Sequence, residues 1–199
     1  TPVSTTAPQS YFYAKFAMIP CFEPSNQQEA YEMTRHAFAL SEELRTPILL
    51  RVTTRMAHSR AVVETTDELP RQNKLSLPEN VQHFILLPAF AKKNYAELVA
   101  AQPVFTAKSE ESPYNTYTRG NNPKRAIVAT GIAYNYLMEQ GEPDCTVLKI
   151  AQYPLPVRLI EQMVADGAEE VLVMEEGQPV VEELLRGMVP STVAVKGRL

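Results

Sequence analysis

Glycine is scarce and scattered in this 199-residue sequence: Gly120, Gly131, Gly141, Gly167, Gly177, Gly187 and Gly197 all fall in its last part, never closer than ten residues apart. A loop that cradles a diphosphate needs clustered glycines, because backbone amides must approach the phosphates closely. Neither a P-loop nor a dinucleotide fingerprint can be written here. Histidine is equally sparse. His36, His58 and His83 form no HxxxH pair and have no nearby cysteine or carboxylate cluster at metal spacing, which argues against a protein-bound metal site. The two cysteines, Cys21 and Cys145, each sit in an apolar run that reads as a strand, so we expect buried free thiols in a cytoplasmic protein. Long hydrophobic runs are missing as well: Phe84 to Leu87 and Val171 to Met174 are strand-sized, far below the roughly 20 residues that span a bilayer. A net charge of -4 leaves no basic field to hold a phosphate backbone. Neither a membrane nor a nucleic acid is therefore an expected partner.

What is present is an ordinary globular composition, 45% hydrophobic and 21% charged, enough for one large domain or two small ones, of which we expect two. Thr1 stands where an initiator Met would, and no signal-peptide pattern follows, so the start reads as trimmed. Residues 1–17 read as an irregular, partly docked segment rich in aromatics toward its end. Met18 to Phe22 is a short apolar strand, and Ser25 with Gln28 forms a capping-box signature for a helix. Ala30, Met33, Ala37, Leu40 and Leu44 give that helix one apolar stripe, and Pro47 ends it near Arg45. Ile48 to Thr54 then reads as a second strand, completing a βαβ unit with parallel strands and a right-handed crossover. A sheet this small needs further strands, expected upstream or from a partner subunit. Residues 65–123 read as a structured connector with a strand at Val81 to Leu87, a helix at Ala89 to Ala101 and a turn-rich boundary over 109–123. From Arg125 onward strands at 126–130, 146–150, 170–175 and 191–195 alternate with helices at 132–140, 156–165 and 179–186, the pattern of a compact α/β sandwich. Pro156 and Pro179 suit first helical positions.

Three features carry candidate chemistry. Arg51, Thr53, Thr54, Arg55, His58, Ser59 and Arg60 leave the C-terminal end of the second strand, the edge at which α/β proteins assemble ligand sites. Arginine forks and hydroxyls there suit a carboxylate or phosphate, so the segment reads either as contact with substrate, cofactor or another subunit's active site, or as a solvated face. His36 reads as solvent-facing and His83 as structural. Thr130, Gly131 and Ile132 make a strand-to-helix turn whose glycine serves either close packing or an anion at the helix N-terminus. Glu175, Glu176, Glu182 and Glu183 surround the start of the last helix, where negative charge is favoured by the helix dipole.

Several stretches, in order, resemble the alpha subunit of indolepyruvate:ferredoxin oxidoreductases. They are Tyr13 to Pro20 with Glu23-Pro-Ser25 and Gln28 to Ala30, Thr46 to Arg51 running into Thr53-Thr-Arg55 and His58-Ser-Arg60, Thr130 to Tyr134, Tyr153 to Pro156, and Val173 to Glu176. The resemblance implies thiamine-diphosphate-dependent oxidative decarboxylation of aryl pyruvates such as indolepyruvate to an aryl-acetyl coenzyme A, with ferredoxin as electron acceptor. It also implies magnesium and 4Fe-4S clusters, a second (beta) subunit and, with the unfinished first sheet, a homodimer. Residues 1–64 then look like the end of a parallel-sheet pyrimidine-binding domain, and 124–199 like a transketolase C-terminal α/β domain. The family's Gly-Asp-Gly motif and cysteine-rich motifs are absent, and its activating glutamate is expected upstream of Thr1. We therefore expect an internal piece that binds none of these cofactors alone and is inactive alone, with no catalytic residue assigned. The competing readings are a chain of another 2-oxoacid oxidoreductase and a non-catalytic dimerisation or scaffold subunit.

Overall fold

The computed structural model describes residues 10–68 and 76–199. The chain opens with helix α1 (Ser10–Ala17), which replaces the irregular segment expected there, while residues 1–9 lie outside the described residues. Tyr11 and Ala14, one turn apart, are buried and anchor α1 to the main core. Strand β1 (Cys21–Phe22) leads into helix α2 (Gln27–Leu44) and strand β2 (Leu49–Leu50). Parallel pairing of Cys21 with Leu49 and Phe22 with Leu50 confirms the βαβ unit.

Helix α2 starts one residue later than the capping signature suggested. Asn26 is the N-cap, accepting from the Glu29 amide at 2.9 Å, while the Glu29 carboxylate accepts from the Ser25 amide and hydroxyl. An Asx oxygen reaches the third helical amide as well as serine does, and Glu29 rather than Gln28 then occupies the reciprocal position. Met33 and Leu40 are the buried members of the anticipated stripe, packing with Phe22 and Ala151 in a small second core. The expected second strand is cut short: Thr53 caps a short helix α3 (Thr54–His58), so pairing stops after Leu50.

The connector differs more. Val81–Phe84 forms a 3-10 turn, not a strand, and Phe84, Leu86 and Leu87 are exposed and belong to neither described sheet. Helix α4 (Pro88–Glu110) runs nine residues past its expected end at Ala101 and through Pro103. Proline removes one helical hydrogen bond, but burial of Phe105 and the Ser109 hydroxyl bond to the Gln152 carbonyl at 2.8 Å hold the second half on the body. The supposed boundary 109–123 contains an edge strand, β3 (Thr116–Thr118).

Strand β4 (Asn122–Thr130), helix α5 (Gly131–Glu139), β5 (Cys145–Ile150), β6 (Gln152–Tyr153), helix α6 (Val157–Ala165), β7 (Glu170–Met174), helix α7 (Val180–Arg186) and β8 (Ala194–Lys196) complete the chain. Pro156 and Pro179 stand at N-caps, one position before the expected ones. Two mixed sheets result, with strand orders β2-β1-β6 and β3-β5-β4-β7-β8. The first sheet does gain the strand it lacked, but from downstream: β6 pairs antiparallel with β1, Cys21 opposite Tyr153. The main core accordingly mixes Tyr11, Ala14 and Cys21 with Val128, Leu148 and Val171. Each such fully buried aliphatic side chain contributes about 1.5–3 kcal/mol. Cys21 and Cys145 are free thiols; Cys21 is buried as expected, whereas Cys145, at the first position of β5, is only half-buried. The fold is thus α/β, and none of its described helices is long and apolar enough to cross a membrane.

Candidate functional site

Polar residues gather where β1, β2, β4 and β7 end. Phe22 and Leu50 are register partners, so the residues that follow them, Glu23 and Arg51, emerge side by side. Both are almost completely buried, at 2% and 5% exposure, and they form an ion pair through Glu23 Oε1 and Arg51 Nη1. Tyr153 Oη donates to Glu23 Oε2 at 2.9 Å, and Arg51 Nη2 donates to the Glu176 carbonyl at 2.7 Å. Arg51 thereby ties the end of β2 to the turn after β7. Burial pushes the Glu23 carboxyl upward, while the Arg51 charge and the Tyr153 hydrogen bond pull it down. Burial and the Glu23 charge drive the Tyr153 phenol well above its ordinary range, so it remains a donor.

Gly131 closes this cluster. Its φ is +49°, and a Cβ built there would lie 2.4 Å from Glu23 Oε1, so the turn serves close packing. The position beside the first turn of α5 is filled by the protein's own carboxylate. Glu175 also has a structural role: its carboxylate accepts from the amides of Val180, Val181 and Glu182 at 3.1, 2.9 and 2.9 Å, capping α7 where Pro179 supplies no side-chain cap. Glu182, 1% exposed, accepts from Arg186 and from the amides of Arg198 and Leu199. Glu183 is an exposed first-turn residue of α7.

The Arg51 to Arg60 segment is divided by α3. Arg51 and Thr53 point inward, the latter accepting from the Met56 amide as N-cap. Thr54, Arg55, His58 and Ser59 instead line an open cleft whose far wall is Glu176. One turn of helix brings Arg55 and His58 to the same face. The Arg55 guanidinium lies 5.3 Å from the centroid of the Tyr136 ring. Glu176 Oε2 and Tyr136 Oη are both buried without a hydrogen-bond partner among the described residues. Arg60 is exposed and outside this lining. The cleft thus presents a guanidinium, an imidazole and the Thr54 hydroxyl against one carboxylate, a donor-rich set suited to a polar, anion-bearing group, while the Ser59 hydroxyl is committed to the Met56 carbonyl at 3.0 Å.

Two histidine expectations need correction. His36 is half-buried, edge-on to Phe22 and Tyr114, because the small sheet and the turn before β3 pack around that face of α2. His83 is exposed on the 3-10 turn. Glu23 and Tyr153 were missed as site residues. The available signal was a carboxylate and an arginine placed immediately after two neighbouring parallel strands.

Architecture and site define an α/β protein with its polar cluster at the C-terminal edge of parallel strands. No protein-family model matches the chain. It is 36% identical over 195 residues to indolepyruvate oxidoreductase subunit IorA of Methanothermobacter marburgensis, covering 94% of this chain and 31% of that subunit. IorA of Methanothermobacter thermautotrophicus is 35% identical over 175 residues, 85% of this chain and 28% of that subunit, and IorA of Thermococcus kodakarensis is 35% identical over 185 residues, 87% and 28%. The chain is an indolepyruvate oxidoreductase alpha-subunit-like sequence that spans less than a third of the length of the curated relatives it matches.

Proposed function

We infer that the chain works as a section of a thiamine-diphosphate-dependent indolepyruvate:ferredoxin oxidoreductase, in which residues 1–64 finish a pyrimidine-binding domain and 124–199 form a transketolase C-terminal-like domain. The observation that carries this reading is the match to IorA subunits over nearly the whole of this chain. The reaction is oxidative decarboxylation of an aryl pyruvate to an aryl-acetyl coenzyme A in the cytoplasm, with electrons passed to ferredoxin and a beta subunit completing the complex.

The chain's own residues do not fit the cofactors. It has no Gly-Asp-Gly sequence for a magnesium diphosphate, and its two cysteines cannot supply the thiolates of a 4Fe-4S cluster. Among the described residues, no group of three or more His, Cys, Asp or Glu is placed to hold a metal. The chain's role in the reaction is a supporting one. Thr54, Arg55 and His58 face a substrate or cofactor anion, and Arg51 and Thr53 fix the segment that carries them.

The test is the complete enzyme, assayed with indolepyruvate, phenylpyruvate, pyruvate and 2-oxoglutarate as electron donors. Preference for the aryl pyruvates, and a Michaelis constant raised by Arg55→Ala, are the expected results; equal or better turnover of 2-oxoglutarate removes the reading. Exposed Phe84, Leu86, Leu87, Tyr95 and Val99 favour a second reading, an α/β dimerisation or scaffold unit. Light scattering separates the two assembly states, since a monodisperse monomer at high concentration counts against the homodimer.

A further inference from the structure

Away from the Arg55 cleft, helix α1 roofs a half-open cavity of about 280 Å³ against α4, α6 and α7. Its wall is apolar, formed mainly by Tyr11, Met18, Ile19, Leu155, Leu184 and Met188. The size compares with about 150 Å³ for an apolar cavity that takes benzene, leaving room here for a larger ring and a short substituent. Two of the wall residues are methionines, whose polarizable thioethers favour aromatic neighbours.

The polar groups of the wall are few. Gln102 Nε2 is committed to the carbonyls of Met18 and Leu98, both at 3.0 Å, and the Thr106 hydroxyl donates to Gln102 O at 3.2 Å. The Tyr153 hydroxyl is committed to Glu23. Lys15 is the one charged residue of the lining, and it is solvent-exposed, with no salt bridge among the described residues. A single ammonium at the rim of an apolar chamber matches one carboxylate on an apolar body. The backbone supports a held shape: Met18 has φ +58°, a conformation L residues rarely adopt, and the Gln102 bond to its carbonyl fixes it there.

We propose that this cavity is a binding site for a small aromatic monocarboxylic acid, the ring seated among Met18, Leu155, Leu184 and Met188 and the carboxylate on Lys15. Binding here requires no turnover and none of the residues of the Arg55 cleft, so this inference and the proposed reaction stand or fall separately.

The chain contains no tryptophan, so the emission of an indole probe reports its own environment directly. Indole-3-acetate is titrated into the full chain, with indole-3-acetamide and hexanoate as competitors. We expect saturable binding, at least about tenfold weaker for the neutral amide and for Lys15→Gln, consistent with loss of one charge-assisted hydrogen bond. Thr106→Phe, which fills the chamber from α4, abolishes binding. Lys15 is exposed, so its variant retains the wild-type fold by circular dichroism and separates lost binding from lost structure. The proposal is overturned if no saturation occurs up to about 10 mM, weak even for a fragment-sized ligand. It is also overturned if amide and acid bind equally, if hexanoate competes as well as the aryl acid, or if both variants bind like wild type.

Discussion

Removing Arg51 leaves a carboxylate stranded in the interior. Glu23 is 2% exposed, and its compensation is the Arg51 charge and one Tyr153 hydrogen bond. Breaking a buried pair from one side costs about 3–5 kcal/mol, because the remaining ion has lost both water and partner. Arg51→Met keeps most of the side-chain volume, so the loss is electrostatic rather than a cavity. Arg51 also holds the Glu176 carbonyl, and that hydrogen bond to a charged donor adds about 1.5–3 kcal/mol. Against a total stability of about 5–15 kcal/mol this approaches global unfolding, so Arg51→Lys serves as the milder probe. The assay is urea denaturation followed by circular dichroism at pH 7, for Arg51→Met, Glu23→Gln and the double variant. Each single change is expected to lower the midpoint strongly, and the double to recover a large part, with a coupling energy above about 1 kcal/mol. The sign of the pH effect follows from burial, which raises the folded Glu23 carboxyl above its unfolded value. Losing the Arg51 charge that pulls the carboxyl down places its value higher still in Arg51→Met, so the variant should regain stability relative to wild type as pH falls from that higher value toward the wild-type one and its carboxyl becomes neutral first. Purely additive single costs, or an Arg51→Met penalty independent of pH, would refute the reasoning.

Gly131→Ala places a methyl 2.4 Å from Glu23 Oε1 at a positive φ, and should cost about 1–3 kcal/mol in thermal denaturation; measured between Glu23→Ala and the Glu23→Ala/Gly131→Ala double variant, the same glycine change should cost less. Glu175→Ala uncaps three amides of α7 and should cost about 1–2 kcal/mol in chemical denaturation, with Glu175→Asp an incomplete rescue because its shorter arm falls short of Val180. His36 is held below its ordinary value by burial, against the attraction of Glu43. Its contribution to stability is therefore present above the unfolded value of 6.5 and lost as pH falls through the lowered folded value. His36→Phe should flatten the decline in melting temperature over that window, and an unchanged slope would remove His36 as its source.

Periodicity alone located α2, α5, α6, α7, β5 and β7, because apolar spacing follows local geometry that each segment carries by itself. The resemblance to indolepyruvate oxidoreductase alpha subunits was likewise legible in short ordered motifs from Tyr13 to Glu176. The sequence also marked the Arg51 to Arg60 segment as chemically loaded. It did not say that Arg51 and Thr53 turn inward while Thr54, Arg55 and His58 line a cleft, since one short helix begun at Thr53 makes that division. Long-range pairing was decided only in three dimensions. The third strand of the small sheet comes from Gln152–Tyr153, more than a hundred residues downstream, and that pairing buries Tyr153 against Glu23. Val81 to Leu87 has strand-like composition but pairs with no described strand, while α4 continues through Pro103 because Phe105 and Ser109 have a surface to dock on. Local preferences are worth tenths of a kcal/mol per residue and a buried side chain is worth several times more, so where the two disagree the packing of distant segments prevails.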